Sequence, residues 1–382
     1  MKIIILAPFC SLPGEANFNR FRYLARLAAQ HHEVVLVTSR FRHFDKTVRS
    51  DIDCDEGYEI VLLDEPGYRR NVSLARLWSH RCFARSFRQW LQAYCRTSKV
   101  DLVYSAFPLI ATNLFLGQAK RELGFKLVID VQDVWPESLA VLPMVDRMQA
   151  LMHPFSLRAD RAYAGADALV SVSQTYLQRA RRANAKAAGM VCYIGADENL
   201  WRSVEARVFD KGKVRFFYLG TVSHSYDMET VVRGFAALAS TDPDFELHVI
   251  GGGPSMEAVR ALAAGNTHFH GYLAVEDMVG LVKGMDVAIN PIKSTSRGTI
   301  TNKLADYVLA GKPILNSQTD DEAMSIIRRV GHRNYQDGNV DDFVRAAREI
   351  GRASLPPVDD ETARLFDRGH TYSRILDFIA AV

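Results

Sequence analysis

Short, nearly continuous apolar runs alternate along the chain with longer stretches whose apolar residues recur every three to four positions. Residues 2–7, 33–38, 60–63, 102–105, 126–130 and 168–172 read as buried strands. Residues 19–30 have helical spacing, with Phe21, Leu24, Leu27 and Ala28 on one face. The alternation then restarts. Residues 215–219, 246–250, 286–290 and 313–316 read as strands, and 228–239 and 301–310 as helices. β-branched strands separated by helices imply parallel sheets covered on both faces. The expected fold class is α/β, with two Rossmann-like domains facing across a cleft. The first spans 1–194. A polar stretch without a strong period, 195–212, is expected to link it to the second at 213–360. A last helix within 361–382 is expected to cross back to the first domain.

Composition narrows the class without naming a function. The chain has 382 residues, 48% of them hydrophobic and 24% charged, with a formal net charge of +3. That balance fits a globular protein and is too weak a charge to mark a nucleic-acid binder. The five cysteines, Cys10, Cys54, Cys82, Cys95 and Cys192, are scattered and form no CxxC pair. A disulfide framework or cysteine zinc site is therefore not expected, and a reducing, cytoplasmic location is. The first apolar run ends at Pro8, too short for a signal peptide. No window approaches the roughly 20 apolar residues of a spanning helix.

In paired doubly wound sheets, ligands bind beyond the carboxyl ends of the strands, so the loops there carry the chemistry. The most informative run is 290–315, NPIKSTSRGTITNKLADYVLAGKPIL. Small residues at 294–299 let backbone N–H groups approach an anion. Thr301 is a candidate N-cap, and Gly311 sits where a glycine ends a helix. The helix N-terminus suits a diphosphate. Lys303 lies in its first turn, where a cation is disfavoured unless an anion joins it. Asp306, three residues on, shares its face and can accept from a ribose diol. A solvated Lys/Asp pair on an ordinary surface helix has the same pattern. Gly220-Thr221 and Gly251-Gly252-Gly253 follow strands and let backbone approach a ligand. The latter is an incomplete dinucleotide fingerprint, because Met256 stands at its third glycine position. In the first half, 9–19 holds Gly14 and Asn17, with Arg20 just after. Asp133 and Glu137 flank Trp135-Pro136, acids beside a ring that could stack on sugar.

These segments resemble the family-4 retaining glycosyltransferases of the GT-B fold, especially those that make bacterial surface polysaccharides. Residues 302–314, NKLADYVLAGKPI, resemble that family's donor motif. HEVVLVT at 32–38, DVQDVWPES at 130–138 and DALVSVS at 167–173 resemble further family segments, in the same order. The resemblance implies sugar transfer from a nucleoside diphosphate sugar to a glycan acceptor, lipid-linked in relatives of this kind, with retention. It implies donor contacts from Gly220, Thr221, Gly252, Gly253, Arg297, Gly298, Thr299, Ile300, Thr301, Lys303 and Asp306. Acceptor contacts would come from Gly14, Asn17, Arg20, Asp133, Trp135 and Glu137, with Asp133, Lys303 and Asp306 at the catalytic centre.

Two positions depart from the family pattern. Many members carry two acids with seven residues between them in the donor motif; here those positions are Gly298 and Asp306, so only the second is acidic. The first acid's role would pass to backbone N–H groups at 297–299. The Arg and Lys that members often carry after the equivalent of Gly220 are also absent from TVSHSYD at 221–227.

No metal or other cofactor is expected, since no Asp-x-Asp pair occurs in the donor loop and Asp51-Ile52-Asp53 lies elsewhere. A nucleotide-sugar epimerase of the same fold, or an inactive nucleotide-sugar-binding subunit, are the alternative readings. Between 66 and 100 the chain has no acid but holds Arg69, Arg70, Arg76, Arg81, Arg85, Arg88, Arg96 and Lys99 among large apolar residues. That stretch reads as a surface for anionic membrane, making the protein peripheral on the inner face of the plasma membrane. A core-facing helix with a basic outer side would read the same way.

Overall fold

The computed structural model describes residues 1–13, 15, 20–50, 56–70, 73–137, 149–296 and 300–382. They form two compact units, Met1–Cys192 with Tyr372–Val382, and Tyr193–Thr371. The first unit runs β1 (Lys2–Leu6), α1 (Arg20–Ala28), β2 (Glu33–Ser39), β3 (Glu59–Leu63), α2 (Leu74–Tyr94), β4 (Leu102–Phe107), α3 (Ile110–Leu123), β5 (Lys126–Val131), α4 (Gln149–Ala164), β6 (Ala168–Ser171), α5 (Gln174–Ala183) and β7 (Ala188–Val191). Its strands form one parallel sheet in the order β3-β2-β1-β4-β5-β6-β7. The central strands are buried along almost their whole length, which is why β1 and β2 read as unbroken apolar runs. Tyr372, Ile375 and Ile379 of the last helix belong to this unit's core.

The second unit runs α6 (Glu198–Ser203), β8 (Val214–Leu219), α7 (Met228–Thr241), β9 (Phe245–Ile250), α8 (Met256–Arg260), β10 (Thr267–Gly271), α9 (Val275–Lys283), β11 (Val287–Asn290), α10 (Asn302–Leu309), β12 (Ile314–Asn316), α11 (Asp321–Ile327), β13 (His332–Asn334), α12 (Val340–Gly351) and α13 (Asp360–Arg364); α14 (Arg368–Ala380) then leads into the residues that join the first unit. Its sheet is again parallel, in the order β10-β9-β8-β11-β12-β13. The strand order reverses direction at β1/β4 in one sheet and at β8/β11 in the other, and ligand crevices form at such points.

Three strands lie outside the apolar runs of the sequence: β7, β10 and β13. Each holds polar residues or glycine and is only partly buried, so none carries the apolar signal of a central strand. The polar stretch 195–212 is not a free connection. Trp201 is buried, Lys283 Nζ donates to the carbonyls of Trp201 and Val204, and Arg207 N donates to Gly280 O at 2.8 Å. Its few apolar side chains anchor it to the second unit.

Candidate functional site

At the switch point of the second sheet, backbone packs on backbone. Gly220 N donates to Ile250 O and Val222 N to Gly252 O, both at 2.8 Å. Gly220, Gly251 and Gly253 have φ of +119°, +122° and +152°, conformations that a side chain would strain. A Cβ on Gly251 would strike Gly220 O, and one on Gly253 would strike Val222 O. Glycine is therefore required here by close approach.

Helix α10 aims its N-terminus from the loop after β11. Thr301 is its N-cap by backbone geometry, yet its hydroxyl makes no capping bond. Tyr307 fixes the helix: its hydroxyl donates to Ile289 O at 3.0 Å and accepts from Leu219 N at 3.3 Å. The strand end is held by buried amides, with Asn290 Nδ2 donating to Asn316 Oδ1 at 2.9 Å and to Gln318 Oε1 at 3.2 Å. Ser294 N and Oγ both donate to Asp337 Oδ2 at 3.0 Å, which pins the start of the following loop.

Lys303 and Asp306 project from this anchored helix. The Lys303 stem lies on Gly220, where a Cβ would come within 2.6 Å of Cε. Its ammonium sits 3.6 Å from the centre of the Tyr226 ring. Among the described residues, no ion pair or hydrogen bond reaches the Asp306 carboxylate, and Lys303 forms no salt bridge. Both groups are consequently driven towards neutrality. Burial pushes the Asp306 carboxyl up to about 7, against the pull of Arg368 and Lys303. Burial pushes the Lys303 ammonium down to about 8, against the pull of Asp306. A phosphate at Lys303 would oppose this shift, since an adjacent anion favours the charged ammonium. Tyr272, 80% exposed, lies beside Gly252, where a Cβ would come within 2.8 Å of its ring. Exposed rings of this kind can stack on a base. An isolated tyrosine after an unrecognised edge strand gave no sequence signal. Thr221 is exposed and Ile300 is partly buried. Arg297, Gly298 and Thr299 lie outside the described residues, as do Gly14 and Asn17.

In the first unit the named residues are engaged differently. Arg20, expected to meet an acceptor, is 4% exposed. Its Nε donates to Asp130 Oδ2 at 2.6 Å and its Nη1 to Cys192 O at 2.8 Å, with Tyr372 stacked at 5.1 Å. Tyr104 Oη donates to the same Asp130 oxygen at 2.7 Å. Nε and Nη1 are thus engaged within the fold, while Arg20 Nη2 is buried without a hydrogen-bond partner. Glu137 accepts from Arg179 Nε at 2.6 Å, and Asp160 accepts from the same guanidinium at 2.7 Å. Trp135 meets Phe155 edge to face at 5.7 Å. Asp133 is partly buried.

Sequence reasoning missed a second cluster, beyond the ends of β1, β2 and β3. Phe9 lies 4.8 Å from His43 and 5.6 Å from His80. His43 Nδ1 is 2.5 Å from Tyr68 Oη, and Lys46 and Arg76 stack on the Tyr68 ring at 5.0 and 5.6 Å. Burial and the nearby cations push both imidazoles down to about 4, so they are neutral near pH 7. These residues are far apart in sequence and share no motif.

The two parallel α/β units are Rossmann-like, as in the GT-B fold. Residues 20–194 match the family model described as "Glycosyl transferase 4-like domain", and residues 213–352 match "Glycosyl transferases group 1". The chain belongs to this group 1, family-4-like class of glycosyltransferases. Among solved structures it is similar to a sucrose-phosphate synthase from Thermosynechococcus elongatus, with 14% identity and a TM-score of 0.71 over 100% of this chain and 98% of that one. It is also similar to HepE of Anabaena in complex with UDP, at 15% identity and TM-score 0.67 over 100% of both chains. A lipopolysaccharide outer core galactosyltransferase, WaaB, shows 15% identity and TM-score 0.65 over 100% and 99%. No curated protein matches the chain.

Proposed function

We propose that the protein transfers a hexosyl group from a nucleoside diphosphate sugar to a hydroxyl of a lipid-linked glycan, with retention, in bacterial surface polysaccharide synthesis. The observation that carries the donor reading is the anchored N-terminus of α10, with Lys303 buried, Asp306 partly buried and neither in a salt bridge among the described residues. HepE, similar in fold, is solved in complex with UDP, which supports a nucleotide-bearing donor. Lys303 and the N–H groups of the helix end and of 297–299 would hold the diphosphate. Asp306 would accept from the ribose, and Tyr272 would stack on the base. Gly220, Thr221, Gly252 and Gly253 would form the wall. The bond from the sugar's anomeric carbon to the diphosphate oxygen breaks, and one to the acceptor oxygen forms on the same face. The acceptor proton passes to the departing diphosphate. The chain supplies positioning and charge rather than a strong base, and no metal is required by this scheme. Asp133 and Trp135, with the Phe9–His43–Tyr68–His80 cluster, are the groups suited to an acceptor.

A panel of nucleoside diphosphate sugars tests the reading: one should raise the melting temperature, since a ligand of the native state stabilises it by mass action. That donor and an acceptor glycan should yield an α-linked product from an α-linked donor, read from the anomeric proton. A β product sinks retention, and donor turnover without acceptor into another sugar sinks transfer in favour of epimerisation.

The membrane reading gains from α2. Its buried face is Ser79, Phe83, Phe87 and Leu91, so these rings are core. Its first turns leave Leu74 84% and Trp78 60% exposed beside the exposed Arg81 and Arg85. No helix among the described residues is long and apolar enough to cross a membrane. The protein should co-sediment with anionic liposomes at low salt. Replacing Arg81, Arg85 and Arg88 with serine should abolish this while turnover of a soluble acceptor persists. Failure of the wild type to co-sediment sinks the idea.

A further inference from the structure

The edge of the second sheet carries chemistry that sugar transfer does not use. β9 and β10 run parallel with His268 opposite His248. Side chains two apart on a strand share a face. Phe245, Leu247 and Val249 point into the core, which leaves Glu246 and His248 on the other side. His268 and His270 join them, their rings 4.9 and 5.2 Å from that of His248. One ligating atom from each of Glu246, His248 and His268 lies within 4.8 Å of the others.

His248 is the informative member. It is 5% exposed, and its Nε2 is buried with no hydrogen-bond partner. Glu246 Oε2 is 3.9 Å away, too far for a hydrogen bond. The other nitrogen, Nδ1, lies 2.9 Å from His270 Nε2, so one of that pair carries the hydrogen. If Nδ1–H donates to His270, Nε2 presents a bare lone pair to Glu246 and His268. A metal-ligating histidine is held in this way, by a second group on its other nitrogen.

We propose that Glu246, His248 and His268 form a site for a divalent first-row transition ion, with His270 orienting His248. Two imidazoles and one carboxylate suit zinc, cobalt, nickel or copper rather than magnesium or calcium. Ligand atoms about 2.0–2.1 Å from a tetrahedral ion stand roughly 3.3–3.5 Å apart, so the cluster must close slightly. His268 is exposed and can supply that movement. Lys213 and Arg215 lie 3.3 and 3.6 Å from Glu246 and compete for it. An ion drawing on β9 and β10 together would clamp an edge strand that has little core of its own. The role is structural.

The test uses the full chain without an affinity tag, stripped with a chelator and titrated with zinc and with cobalt. One ion should bind per chain, cobalt should develop visible ligand-field bands, and zinc should raise the melting temperature. Magnesium should do nothing. His268→Ala and Glu246→Gln should each weaken zinc about 10-fold or more and lose the thermal shift. His31→Ala, an exposed histidine of the other unit, should change neither. Zinc binding that is absent in the wild type, or equally tight in His268→Ala, overturns the proposal.

Discussion

Each unit places a cation and an acid where a helix meets the carboxyl side of its sheet, and the two pairs behave oppositely. Arg20 and Asp130 are joined at 2.6 Å and buried, with Tyr104 Oη and the Cys192 carbonyl as further partners. Lys303 and Asp306 sit one helical turn apart, make no salt bridge, and are each pushed towards their neutral forms. A charge that folding has already neutralised has little left to offer a ligand. A charge left uncompensated is costly until something binds it. The difference separates a pair bonded within the fold from a pair without a salt bridge among the described residues, the state expected of the anion site proposed above.

The largest consequence falls on stability. Arg20→Met strands the Asp130 carboxylate in the core, and breaking a buried pair from one side costs about 3–5 kcal/mol. Urea unfolding should show that loss. Arg20→Met combined with Asp130→Leu should recover part of it, because no lone charge remains. Lys303→Met should leave stability near the wild type or above it. Comparable losses for Arg20→Met and Lys303→Met would erase the distinction.

The next effect falls on ligand. Lys303→Ala and Asp306→Ala should each weaken donor binding by about 10-fold or more, on the order of 1.4 kcal/mol. Lys303 should also act on the free nucleoside diphosphate. Arg20→Met protein that remains folded should bind donor as the wild type does. Calorimetry of the three variants decides this, and unchanged donor affinity in both α10 mutants would remove the site from that helix.

How much of this is legible in sequence follows from the physics of each element. Central strands announce themselves because burial on both faces demands apolar runs; β10 and β13 do not, being edge strands with His, Arg and Asn. The glycine turns at 220 and 251–253 are visible as glycines, but only the fold shows that Gly251 and Gly253 are needed by backbone contact. Lys303 and Asp306 stood out because a lysine in a first helical turn contradicts the helix dipole. The pairing of Arg20 with Asp130 is not legible, because its partner is 110 residues away and nothing local records it. The histidine and tyrosine cluster beyond β1–β3 was invisible for the same reason: separate loops supply one residue or two each.

The smallest effect is a pH slope that belongs only to the open pair. With its folded value near 7 and an ordinary aspartate near 3.9, Asp306 holds more proton in the folded state across that interval. Stability without donor should therefore fall as pH rises from about 4 to about 7. Lys303 works in the other direction at higher pH. Its folded value is near 8 and an ordinary lysine titrates near 10.4, so the unfolded chain holds more proton between them. Its contribution to stability should rise with pH through that window. Asp306 remains partly open to solvent, so screening should keep its contribution to the order of 1 kcal/mol. The measurement is urea unfolding at a series of pH values for wild type, Asp306→Asn and Lys303→Met. Asp306→Asn should flatten the acid-side slope, Lys303→Met the alkaline one, and saturating donor should diminish both, since a bound diphosphate and ribose supply the partners that folding left out. If the slopes are the same in all three proteins, the charges at α10 are already satisfied and the helix is an ordinary surface element.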